Sequence, residues 1–299
     1  MNFGAAVLTF REGLEAALII AIMLGYLKKV GRLEHRYAVW AGALSAASLA
    51  VAFTVVLALL GNTFEDPAKA IYEGATSLLA VGILTYMIFW MSRHAPYIKG
   101  ALEQSMKASF VGGAAWGLFG VAFLTVAREG VETALFLSAS AFQTSGAATL
   151  FGGIVGLLLS IAAAYAVYIA GARLNLRLFF KIAGFMLVFF GASILRYGIH
   201  EFQEIGWLPA LIDPVWNTGE WIPTASTAGT ILQALVGYTS EPSLLELLAY
   251  CGYLGIMFTA LLLPPRRKSQ APAPTPAPIP APSTSEAAPS EHNVKSAPV

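Results

Sequence analysis

The chain has 299 residues, of which 57% are hydrophobic and 12% charged, with a mean hydropathy of +0.68. A soluble domain carries about 25% charged residues, so the composition excludes an ordinary soluble domain and places the chain in the membrane class. The formal net charge of +1 says nothing about partners; no nucleic-acid partner is expected, and a single cysteine, Cys251, excludes a disulfide framework or a thiolate metal cluster within one chain.

The start, Met1-Asn2-Phe3-Gly4, lacks a basic leader, and Arg11 and Glu12 interrupt the apolar run that follows, so no cleavable signal peptide is expected. The first span is read at about Phe3–Leu27 and ends in the basic residues Lys28, Lys29, Arg32, His35 and Arg36. The second runs about Tyr37–Leu60 with no charge inside it, and Pro67 then suits the start of the third, about Ala70–Met91, which carries Glu73 near its entry. Arg93, His94, Lys99 and Lys107 follow. The mixed segment Tyr97–Ser109 reads as interfacial or as a continuation of the fourth span into the cytoplasm. The fourth span is about Val111–Ala141, the fifth about Ala148–Ile169, and the sixth about Ile182–Ile199, ending in His200-Glu201-Phe202-Gln203-Glu204.

Residues 205–243 form the longest hydrophilic connection, with Trp207, Trp216 and Trp221 fitting an interfacial belt and Thr224–Tyr238 read as a surface or re-entrant helix. The seventh span is residues 244–263. Residues 264–299, dominated by proline, alanine and serine, read as a disordered cytoplasmic tail. The short loops after the first, third, fifth and seventh spans are basic, the fifth by Arg173, Arg177 and Lys181 and the seventh by Arg266, Arg267 and Lys268. Seven spans put all of these on one side, so the N-terminus is expected outside and the tail in the cytoplasm.

One pattern organises the permease domain, residues 1–263. Arg11-Glu12-Gly13-Leu14-Glu15 lies inside the first span, and Arg128-Glu129-Gly130-Val131-Glu132 lies inside the fourth. Spacings of three and four residues set each motif's charges on one helix face. Ionised groups in the middle of a span face a protein interior or a water path. The two motifs open two three-helix repeats, residues 1–92 and 110–204, which enter the membrane from opposite sides. The expected fold is therefore an all-α integral membrane protein of seven transmembrane helices, two inverted three-helix repeats plus a seventh helix.

Fully ionised, the two motifs together carry a net charge of minus two, which suits a cation; oxygen-only ligands favour hard ions such as iron or manganese. Arg11 and Arg128 are expected to hold the carboxylates, and Gly13 and Gly130 to mark where the two motif helices approach. Charges of this kind also pin helices together as ion pairs, but here the acids outnumber the bases and the motif occurs twice. Glu73 could take a cation before the centre. His200 and Glu204, four residues apart, have metal-capable spacing, with Glu201 beside them. Met87 and Met91 read as packing, and Arg196 as snorkelling or paired with an acid of the pathway.

The two motifs resemble those of the high-affinity iron permeases of bacteria and fungi. The resemblance covers about residues 1–263, and Val131 stands where leucine is usual. It implies inward iron transport across the cytoplasmic, or inner, membrane through Glu12, Glu15, Glu129 and Glu132, with Arg11 and Arg128 as motif arginines. The stretches Tyr72-Glu73-Gly74 and His200–Glu204 also look like that family. It implies iron as substrate rather than resident cofactor, no enzyme activity, and periplasmic or extracellular oxidase- or peroxidase-type partner proteins. No His-Glu-x-x-His, Gly-x-Ser-x-Gly or nucleotide-loop element is present. A carrier or channel for another divalent cation is the alternative.

Overall fold

A computed structural model describes residues 2–94, 98–110, 113–170, 176–224 and 226–262. The tail expected at 264–299, with Arg266, Arg267 and Lys268, lies outside the described residues, as does Arg173. The described residues form helices and connections, with no strand among them. In chain order the α-helices are α1 (Phe3–Lys29), α2 (Arg36–Thr63), α3 (Ala68–His94), α4 (Ile98–Ser109), α5 (Ala114–Gln143), α6 (Gly146–Ala170), α7 (Leu176–Glu204), α8 (Thr227–Val236) and α9 (Leu244–Leu262).

Six of these, α2, α3, α5, α6, α7 and α9, are long and apolar enough to cross a membrane. α1 matches them in length with 27 residues but carries three charges at its centre. Asn2 caps it by accepting from the Ala5 amide at 3.1 Å, and Lys28 and Lys29 sit in its last turn, where cations favour the helix dipole. α8 has only 10 residues, too short to span; Ser226 caps it and Gly237, at φ 69°, stops it. The surface or re-entrant helix expected at Thr224–Tyr238 is therefore present and short. α4 buries Leu102 and Met106 and leaves Lys107 exposed, the pattern of an interfacial helix.

Small residues set the packing. Gly152 lies against the Asn2 carbonyl, Gly156 against the Ala6 carbonyl, and Gly13 against Ser160, so α1 and α6 run parallel in close contact. Gly42 faces Phe119 and Ala122, and Gly130 faces Ala50, so α2 and α5 also run parallel. The expectation that the motif glycines mark the contact between the two motif helices is thus corrected. Each glycine instead seats the other half's second helix, Gly13 against the Ser160 side chain and Gly130 against the Ala50 methyl.

α1 and α5 run antiparallel. At one end the Asn2 amide donates to Ser140 Oγ at 2.6 Å and reaches Thr144 and Thr149 at 3.1 Å. At the other, Ile19, Met23 and Leu27 pack with Leu118, Ala122 and Met106. α3 and α7 are antiparallel too, with Gly74 against Phe202 and Gly191 near Leu84. α9 lies along α7 through Arg196–Glu246 and Phe185–Phe258. A second core joins Leu8, Leu84, Met87, Phe136 and Leu187. The end bearing Asn2 and the end bearing Lys28 are called below the Asn2 side and the Lys28 side.

Candidate metal centre

Glu12 and Glu15 fall near the midpoint of α1, and Glu129 and Glu132 near the midpoint of α5. Antiparallel packing therefore brings the two midpoints together. Oxygens of Glu12, Glu15 and Glu129 lie within 4.8 Å of one another, and all three residues are buried. Glu132, one turn along α5, is mostly covered.

Each motif arginine grips its own acids. Arg11 Nη1 donates to Glu12 Oε1 at 2.6 Å, and its Nη2 lies 2.7 Å from Glu15 Oε1. Arg11 also donates to Met87 Sδ at 3.3 Å, so that sulfur is engaged rather than free as a soft ligand. Arg128 Nη2 donates to Glu129 Oε1 at 2.5 Å, its Nε lies 3.8 Å from Glu132, and its guanidinium sits 4.9 Å from the centre of the Trp90 ring.

The arginines leave the acids under-satisfied. Glu12 Oε2, Glu129 Oε2 and Glu132 Oε2 are buried with no hydrogen-bond partner, and Glu15 Oε1 joins them. Glu15 Oε1 is within ion-pair distance of Arg11 but off the hydrogen-bonding axis. Unpaired buried oxygens of ionised groups are costly. A cation seated among them supplies what the two guanidiniums do not, and an all-carboxylate donor set suits a hard one.

The other acids stand apart from this centre. Tyr197 donates to Glu73 Oε2 at 2.5 Å, and Lys69 lies 3.9 Å from Glu73 Oε1. Glu201, one turn beyond Tyr197 on α7, is buried. Fourteen residues of α3 separate Glu73 from Met87, about 21 Å of helix rise. His200 Nδ1 lies 3.0 Å from Glu246 Oε1, and its Nε2 lies 3.4 Å from the exposed Glu204. Arg196 Nη1 donates to Glu246 Oε2 at 2.8 Å, which settles the snorkelling-or-paired alternative in favour of a pair. Sequence reading passed over Glu246. Its signal was an acid in the first turn of α9, and an arginine within α7 that needed a partner.

The fold and this cluster define a multi-pass helical membrane protein with a buried acidic centre between two of its helices. The chain belongs to the Iron permease FTR1 family, which matches residues 2–267. It is 34% identical over 269 residues to the ferrous iron permease EfeU of Yersinia pseudotuberculosis, covering 89% of this chain and 94% of that protein. It is 34% identical over 261 residues to EfeU of Yersinia pestis (86% and 92% covered) and 32% identical over 263 residues to EfeU of Escherichia coli O6:K15:H31 (87% and 95%). The family and these relatives are permeases rather than enzymes. No solved structure matches the chain.

Proposed function

We propose that this chain is an iron-uptake permease of the cytoplasmic membrane that carries Fe2+ or Fe3+ inward through Glu12, Glu15, Glu129 and Glu132. The observation that carries the reading is the set of buried carboxylate oxygens without partners, pooled from two helix midpoints. The ferrous names of the relatives favour Fe2+. α1 is taken as a seventh span, since its charges turn inward to α5. The Lys28 side is taken as cytoplasmic because the basic loop after α1 lies there, and with seven spans the other basic loops of the sequence fall on the same side.

The exchange of partners, α1 on α6 and α5 on α2, both parallel, supports two inverted three-helix repeats over 1–92 and 110–204. Glu73, with Glu201 beside the shared Tyr197, lies on the Asn2 side and is the entry station. His200 and Glu204 form its rim. The connection 205–243 faces outside, where an oxidase- or peroxidase-type partner would dock.

Uptake of labelled Fe2+ into proteoliposomes tests the centre. Glu15→Gln and Glu132→Gln are each expected to lower the uptake rate by about 10-fold or more, a loss of about 1.4 kcal/mol in the transport step. Near wild-type uptake in both removes the site. Carboxylates alone discriminate weakly among hard divalent ions, so transport of another such cation, manganese or lead included, is the second reading. Competition by manganese, zinc and calcium separates the two.

A further inference from the structure

The two motif arginines are equivalent in sequence and unlike in structure. The Arg11 side chain is 4% exposed and held by Glu12, Glu15 and Met87. The Arg128 side chain is 45% exposed although it stands at the middle of α5. Around the centre other directions are dry. Toward the Asn2 side, Leu8 and Phe136, one turn from Glu12 and Glu132, are fully buried. Toward the Lys28 side between α1 and α5, Met23, Leu118 and Met106 are fully buried.

The exception is the face of α5 that bears Arg128, beside Trp90 of α3. There Arg128 emerges and lies over Trp90. The α3 helix ends at His94, four residues beyond Trp90 and about 6 Å further along its axis. A guanidinium facing hydrocarbon at that depth is unfavourable, whereas one facing water is not. Leu124, one turn toward the Lys28 side on the same face of α5, is 70% exposed and shares whatever medium Arg128 meets.

We propose that a water-filled notch between α3 and α5 joins the carboxylate centre to the Lys28 side, with Trp90 as the positioning residue for Arg128. The inference rests on the permease reading for its cargo and on geometry alone for its path. A cation arriving at Glu129 takes the unpaired Oε2, beside the Oε1 that Arg128 holds. Arg128 is repelled, and the Trp90 ring face holds the released guanidinium beside the path. No covalent bond changes; one ion pair is exchanged for another. Among the described contacts Arg11 lies over no ring and is held by Glu12 and Glu15, so the structure is closed toward Asn2 and leads out toward Lys28.

The test has two arms. The first uses Leu124→Cys in a Cys251→Ser background, since Cys251 is exposed. A membrane-impermeant methanethiosulfonate is expected to label it only in vesicles presenting the Lys28 side. Reaction solely with a lipid-soluble maleimide, or labelling from the Asn2 side, overturns the notch. In the second arm, Trp90→Leu is expected to lower maximal Fe2+ uptake about fivefold at unchanged half-saturation, while Trp90→Phe, which keeps a ring face, retains most of it. Equal rates for wild type, Trp90→Phe and Trp90→Leu overturn the role of Trp90. The labelling arm needs no transport. Wild-type vesicles that take up no iron remove the permease reading and leave the notch to be decided by labelling.

Discussion

Buried carboxylates in this chain are of two kinds. Glu246 has both oxygens engaged, Oε2 by Arg196 and Oε1 by His200, and its amide accepts a cap as well by donating to Ser243 Oγ at 3.2 Å. Glu12, Glu129 and Glu132 each keep one oxygen without a partner. The first arrangement is built to stay, the second to receive a charge that comes and goes. Glu246→Ala strands the buried Arg196 guanidinium and is expected to cost about 3–5 kcal/mol. The drop is read as a lower unfolding temperature in detergent, and Arg196→Met combined with Glu246→Leu should recover most of it. Glu132→Gln removes one of several crowded like charges and is expected to leave the unfolding temperature unchanged or raised while uptake falls. A loss of stability as large as that of Glu246→Ala would recast Glu132 as a structural group. These pairings were unequally legible. The i,i+3 and i,i+4 spacing within each motif could be read directly, because it depends on one helix alone. Arg196 and Glu246 are 50 residues apart, and nothing local to either names the other.

Some helix-to-helix contacts here, at Gly42, Gly152 and Gly156, are made through glycines whose nearest neighbour is backbone. A Cβ on Gly156 would press into the Ala6 carbonyl and come within 2.9 Å of the Phe10 amide nitrogen, and neither can yield without moving α1. Gly156→Ala is therefore expected to destabilise by about 1–3 kcal/mol, the usual scale of overpacking, and to lower the yield of folded protein. Gly82 has nothing within 4 Å of the same position, so Gly82→Ala should be tolerated and slightly stabilising through helix propensity. Thermal melts of the two variants side by side check both statements. The existence of the long helices could be read from apolar run length, and the ends from Pro67 and the basic turns. Their partners could not. Gly13 and Gly130 promise close approach to some helix, but the choice of α6 and α2 over each other depends on the whole bundle.

At the scale of the molecule, the two ends of the bundle carry different groups. Asn2, Thr149, Tyr72 and Glu246 gather at one side, while Lys28, Arg36 and α4 gather at the other. Single cysteines at Gly31 and at Gly206, both in turns with positive φ, are expected to react with impermeant reagent from opposite faces of the membrane. Five long helices, α2, α3, α5, α6 and α7, lie between the two sites, so labelling of both from one face would mean that one of these does not cross. The membrane class was legible in composition alone, because 12% charge cannot clothe a soluble surface of this size. The inequality of Arg11 and Arg128 was not. Their local sequences are nearly identical, and only the position of α3 beside α5 distinguishes them.

The interleaving of the halves has a consequence for biosynthesis. α1 emerges from the ribosome first, yet the residues that answer its charges and its glycine lie on α5 and α6. By insertion scales each central charge costs about 2.5–3.5 kcal/mol in lipid, so the newborn α1 is poorly housed until more than half the chain has followed it. A nascent chain halted after α4 is therefore expected to leave α1 extractable from the membrane by alkali, and one halted after α6 to retain it.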